Sequence, residues 1–138
     1  STVSRISHLE SLSLRRCDKL EGKTIEELSA LKELEMLNLS LSGFAPENIK
    51  GLASLSRLKV LYLSALGIED RDLTALSSLN LTQLDLSDNR LGGSALKQLS
   101  GIKTLRILNL GAAPHISRKD VAAFKRQHLG CAVVGDFR

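Results

Sequence analysis

Leucines recur along the chain at a fixed interval. The pattern Leu-x-x-Leu-x-Leu stands at Leu9-Leu12-Leu14, Leu34-Leu37-Leu39, Leu58-Leu61-Leu63, Leu81-Leu84-Leu86 and Leu105-Leu108-Leu110. A degenerate sixth copy reads Leu129-Ala132-Val134, so the starts step by 25, 24, 23, 24 and 24 residues. The alternation inside each triplet is that of a half-buried strand. A further apolar residue follows each full triplet, at Leu20, Phe44, Ile68, Leu91 and Ile116. Apolar residues then recur at every third position: Ile25-Leu28-Leu31, Ile49-Leu52-Leu55, Leu73-Leu76-Leu79, Leu96-Leu99-Ile102 and Val121-Phe124. That spacing marks one face of a short helix. Pro46 suits a first helical turn, and Ser117-Arg118-Lys119-Asp120 has the form of a capping box. The expected order is strand, turn and helix, repeated, with strands starting near 9, 34, 58, 81, 105 and 129. Helices are expected near 24–31, 47–55, 70–78, 94–101 and 118–127.

A single unit of this kind cannot bury its leucine face, so neighbours must stack and share one core. Strands sit about 4.8 Å apart and helices about 8–10 Å apart, which bends the stack with the sheet inside. The repeat resembles the leucine-rich-repeat family over nearly the whole chain. The resemblance implies an α/β fold, a right-handed solenoid with a curved parallel sheet of about six strands on the concave side and short helices on the convex side. Residues 1–138 are expected to form one such domain, or a piece of a longer protein, since the chain starts without Met or a signal peptide. The tails Cys17…Leu20 and Gly67-Ile68-Glu69-Asp70…Leu73 are similar to the cysteine-containing subclass found in F-box substrate receptors. The ninth repeat position, Asn or Cys in the family, departs from it at Ser42, Leu66 and Ala113. Cys17 is expected to fill that buried loop position, and Cys131 to lie on the concave side.

Composition sharpens this picture. Apolar residues make up 43% of the chain, aromatics only 3%, and Trp is absent, so the core must be aliphatic layers of similar size. No apolar run approaches the roughly 18 residues needed to span a bilayer. Two cysteines at opposite ends are too few for a disulfide framework, which points to a reducing, cytoplasmic setting, with a secreted form as the alternative. Val3, Ile6 and Leu9 read as the tail of an earlier repeat. Solenoid ends must be capped to hide core and sheet edge.

Alternate strand residues face opposite ways, so the third, fifth and seventh positions form the concave surface. The third positions are Ser11, Met36, Val60, Gln83, Ile107 and Cys131; the fifth are Ser13, Asn38, Tyr62, Asp85, Asn109 and Val133. The seventh, Arg15, Ser40, Ser64, Ser87, Gly111 and Gly135, are mostly small and are expected to leave room for a partner's backbone. Met36, Val60, Ile107 and Tyr62 are candidate apolar anchors, ringed by Asn38, Asp85 and Asn109. Tyr is enriched in interfaces because it is large, stiff and amphipathic. The competing explanation is strand propensity, which favours Val, Ile and Tyr anyway.

Charge is unevenly spread. Residues 97–138 carry eight Lys/Arg against two acids, whereas residues 1–96 carry eleven against thirteen. Arg118, Lys119, Lys125 and Arg126 fall within about 120° of one another on the last helix. This face suits nucleic acid or an anionic surface, or is simply solvated. Few aromatics are available for base stacking, which disfavours single strands.

Chemistry is sparse. Glu21-Gly22-Lys23-Thr24 resembles the end of a phosphate loop, but Cys17 stands where its first Gly belongs. His8, His115 and His128 lie in different repeats without ligand spacing. No catalytic residue, metal or cofactor is expected, and no small-molecule substrate. The expected function is a protein-interaction scaffold rather than an enzyme; the alternative is binding of nucleic acid or an anionic surface through the basic helix.

Overall fold

The computed structural model describes residues 7–138. The expectation about Val3 and Ile6 lies outside them. Six short strands form one parallel sheet in chain order: β1 (Ser11–Ser13), β2 (Met36–Asn38), β3 (Val60–Tyr62), β4 (Gln83–Asp85), β5 (Ile107–Asn109) and β6 (Ala132–Val134). Between them lie α1 (Gly22–Ser29), a 3-10 turn (Pro46–Asn48) running into α2 (Ile49–Leu52), a 3-10 helix (Asp70–Leu76), α3 (Ala95–Gln98) and α4 (Arg118–Gln127). Pro46 stands in the first turn of its segment. Ser117 and Asp120 make the reciprocal bonds of a capping box at the start of α4.

The leucine positions stack in register. Leu37, Leu61, Leu84 and Leu108 pair across β2 to β5, and none has exposed surface. One continuous core joins these leucines to Phe44, Ile68, Leu91 and Ile116 and to the apolar helix faces. In the first repeat, Leu9, Leu12, Leu14 and Leu20 are only half-buried, because no described layer packs on their outer side.

Two expectations need correction at the last strand. Ile107 pairs with Ala132 and Leu108 with Val133, so β6 is shifted by one residue from the expected Leu129-Ala132-Val134 frame. Leu129 is 89% exposed, and Cys131 is buried instead of lying on the open face. The physical reason is one extra residue in the loop before α4: Ile116 follows Leu105 by eleven residues, as Leu20 follows Leu9, against ten in the other repeats, and both of these repeats step the sheet by 25. His128 closes this end by stacking on Phe124, with ring centroids 3.9 Å apart. Its Nδ1–H donates to the Phe124 carbonyl at 3.1 Å.

Each repeat also carries a backbone feature with no obvious residue signature. The eighth position is left-handed at Arg16, Leu41, Ala65, Asp88 and Ala112, with φ between 54° and 63°. This turn aims the amide of Arg16, Leu41, Ala65 and Asp88 at the carbonyl of Ser40, Ser64, Ser87 and Gly111 in the next repeat. The ladder of the sheet thereby continues past the strands. The left-handed region costs an L-residue roughly 1–2 kcal/mol. Ala65→Gly removes that strain but frees the unfolded chain at roughly 0.5–1 kcal/mol. The expected net result is a gain of about 0.5–1 kcal/mol in urea unfolding. A loss of stability would show that the turn is unstrained.

Candidate functional site

The strand register brings all seven expected surface residues together. Met36, Val60, Gln83 and Ile107 stand side by side on neighbouring strands, and Asn38, Tyr62, Asp85 and Asn109 form a second row beside them. Ile107 is 41% exposed and the other seven are half-buried. The rows end on Ala132 and Val134, rather than the expected Cys131 and Val133.

The polar row has a local task. The Oδ1 of Asn38 accepts from the Ser40 amide at 3.0 Å, that of Asp85 from the Ser87 amide at 2.9 Å, and that of Asn109 from the Gly111 amide at 3.0 Å. The Ser87 hydroxyl donates to the same Asp85 oxygen at 2.7 Å. Each side chain thus pins the backbone two residues on, as Asn and Asp do in turns. Its other polar atom, an amide Nδ2 or a carboxylate Oδ2, remains at the surface. Tyr62 cannot make this bond, and the Ser40 hydroxyl substitutes by accepting from the Ser64 amide at 3.1 Å. Ser40 is consequently buried, whereas Ser64, Ser87 and Gly111 in the same row are half-buried. Gln83, not among the expected anchors, donates from Nε2 to the Tyr62 hydroxyl at 3.3 Å. The Tyr62 ring is therefore held before anything binds.

At the ninth repeat position, read as Cys17 and Asn89 in the sequence, the expectation for Cys17 fails. Cys17 is exposed, because no described repeat packs on its outer side. The buried cysteine of the cysteine-containing subclass is thus missing. Asn89 instead fills the ninth position of its own repeat and ties two loops together.

The basic residues lie apart from these rows. Arg118, Lys119, Lys125 and Arg126 are all exposed on α4. Arg118 is already engaged: its Nε–H donates to the Phe137 carbonyl at 3.0 Å and its amide to the Arg138 carbonyl at 2.9 Å. Bonds from the Ser117 hydroxyl and amide hold Asp120 below the usual carboxylate range, aided by nearby Lys97 and Lys119. Burial pushes the Cys131 thiol up, against a weaker opposing pull from Lys125 and Arg106. Cys17 and Cys131 are both free, with five inter-strand steps of about 4.8 Å between their repeats.

Among the described residues no group of three or more His, Cys, Asp or Glu is placed to hold a metal ion. Among them, too, no helix is long and apolar enough to cross a membrane. A groove of ≈ 280 Å³ between α3 and α4 is lined by Leu96, Lys97, Asp120 and Phe124.

The comparisons agree with this geometry. A family model described as leucine-rich repeat matches residues 77–100. An internalin from Listeria monocytogenes superposes with a TM-score of 0.71 at 25% identity, over 99% of this chain and 37% of its own. TLR13 in its complex with ssRNA13 gives 0.63 at 26% identity, over 83% of this chain and 17% of its own. The tropomodulin C-terminal domain of Caenorhabditis elegans shares the fold, with a TM-score of 0.71 at 13% identity, over 94% of this chain and 90% of its own. No curated protein matches the sequence significantly. The chain has the leucine-rich-repeat fold, and it spans only about a third of the internalin. Folds of this family generally mediate protein–protein interaction.

Proposed function

We propose that this chain is a non-enzymatic module that binds a protein partner through the open face of its sheet. Met36, Val60, Tyr62 and Ile107 serve as anchors, and Asn38, Asp85 and Asn109 orient the partner. The observation that carries this reading is the preset pair of rows centred on Tyr62, whose hydroxyl is held by Gln83 and whose strand lies mid-sheet. A surface ordered in advance loses little entropy on binding, and central anchors are best shielded from water. Tyr62→Ala is expected to weaken binding about thirtyfold, near 2 kcal/mol, with the fold intact. Calorimetry against a partner recovered from the cognate cell extract checks this. Charge reversal at Lys125 and Arg126 is expected to change affinity little. The opposite ranking moves the site to α4 and overturns the reading.

One observation favours a second reading, in which α4 meets nucleic acid: a structurally similar protein, TLR13, is in complex with ssRNA13. Arg118 is already bonded to the C-terminal segment, which leaves Lys119, Lys125 and Arg126 for phosphate. Phosphate binding weakens steeply between low and moderate salt, whereas an apolar-centred interface changes little. A cytoplasmic setting belongs to the same proposal and is supported by two free cysteines in distant repeats. Localisation of the tagged full-length protein tests it; secretion overturns it.

A further inference from the structure

Asp85 is the only charged side chain in the two central rows of the sheet face. It lies directly beside Tyr62 in the register, on strands about 4.8 Å apart. Its Oδ1 is committed to the Ser87 amide and hydroxyl, which fixes the carboxylate and leaves Oδ2 toward solvent. Among the described residues no cation pairs with it. Glu35, at the head of β2, is by contrast already matched by Arg57 at 3.2 Å and Lys59 at 3.5 Å. Asn109 stands on its other side, while Val60 and Ile107 flank Gln83 in the adjoining row, so apolar surface lies diagonally to the carboxylate and directly beside the Tyr62 ring.

An unmatched, immobilised carboxylate next to an aromatic ring and an apolar strip complements one kind of side chain. Lys and Arg carry a long apolar stem and a cationic head, and the stem packs on apolar surface while the head finds its anion. The face of a tyrosine ring attracts the same cation. Resting on the proposed sheet-face site, we infer that the partner docks an extended peptide segment whose Lys or Arg seats on Tyr62 and Asp85, with the apolar row of Val60 and Ile107 alongside. Charge pairing of this kind sets register and selectivity more than raw affinity. The chain as a whole carries a net charge of +4, so non-specific attraction favours acidic ligands. A preference for basic ones must therefore come from a local anion.

The test is selection of a random phage-displayed peptide library on the intact protein and on two variants. Asp85→Asn is well suited, because Asn38 and Asn109 make the same backbone bond at the equivalent position of β2 and β5. It removes the charge and keeps the turn. Peptides selected on the unmodified protein are expected to be enriched in Lys or Arg flanked by apolar residues, and Tyr62→Ala should abolish their binding. Asp85→Asn should weaken them at least about tenfold, a loss that shrinks in high salt. Tyr62 is the only tyrosine and there is no Trp, so its emission reports occupancy when the peptide lacks both. Binders that need Tyr62 but ignore Asp85→Asn overturn the cation and leave the sheet-face reading standing. Binders indifferent to both variants, or no enrichment at all, overturn both.

Discussion

Asn89→Ala is expected to cost the protein on the order of 3–5 kcal/mol of stability. The side chain is 8% exposed and spans the loops of two repeats. Its Oδ1 accepts from the Leu66 and Ile68 amides, both at 3.0 Å. Its Nδ2 donates to the carbonyls of Leu63 at 2.8 Å, Leu86 at 3.0 Å and Ser87 at 3.2 Å. Alanine leaves the Leu66 and Ile68 amides and the Leu63 and Leu86 carbonyls without this partner, while the Ser87 carbonyl keeps the Ala65 amide, and each unpaired buried group costs about 1–3 kcal/mol. No other ninth position can compensate. Ser42 bonds only within its own loop, to Leu39 and Phe44, while Leu66 and Ala113 have no polar side chain to offer. Asn89→Asp should be nearly as damaging, since it sets an oxygen against the carbonyls of Leu63 and Leu86. Urea unfolding measures both variants. A loss below about 1 kcal/mol for alanine would mean that water replaces the amide at little cost.

The second large effect concerns Leu84, at the centre of β4, with no exposed surface. Leu61 and Leu108, equally buried, flank it in register on the adjoining strands. Shortening it to alanine opens a cavity that neither neighbour can fill without leaving its own layer. The expected cost is on the order of 2–5 kcal/mol, the usual range for such truncations. Because each repeat is stable only against its neighbours, the loss should appear as one cooperative shift of the whole unfolding curve. Leu12→Ala, at the equivalent but half-buried place in β1, should cost distinctly less. Equal losses would contradict the burial gradient along the stack.

Strands and helix faces were legible because the residues that form them are those that repeat. Leu at the fourth and sixth strand positions is demanded by the core, so five triplets locate five strands. The sixth went astray because Leu129 has the spacing of a triplet leucine, whereas the extra loop residue before Ile116, matching the one before Leu20, moves the return to the sheet one place on. The left-handed eighth positions were hidden for a different reason. Arg16, Leu41, Ala65, Asp88 and Ala112 share no side-chain character, and none is the Gly such a backbone favours. At the first four the turn is tied to a carbonyl of the next repeat, a partner far along the chain. The rows of the candidate surface followed directly from alternation, but the tasks of their polar members did not. A readable signal was present: Asn or Asp followed two residues later by Ser or Gly, at Asn38-Ser40, Asp85-Ser87 and Asn109-Gly111. The help that Tyr62 receives from Gln83 and Ser40 crosses between repeats, so proximity along the chain cannot show it.

Among the described residues the two ends of the stack are unequally buried, and this gives residues 7–138 a direction of melting. At the last strand, Cys131 is buried, Phe137 packs against the core, and His128 stacks over Phe124. At the first, four leucines share their layer with solvent. In a linear array each unit is held by the one beside it, so opening spreads from the weakest terminus inward. Amide hydrogen exchange should therefore be fastest along β1, slow progressively toward β4, and stay slow through β5, with the Asn89 clasp as the step where fraying stalls. Uniform protection from β1 to β5 would contradict this order. Tyr62 lies on β3, on the near side of that clasp. Partial melting from the first repeat would thus dismantle the candidate surface while the far half stayed folded.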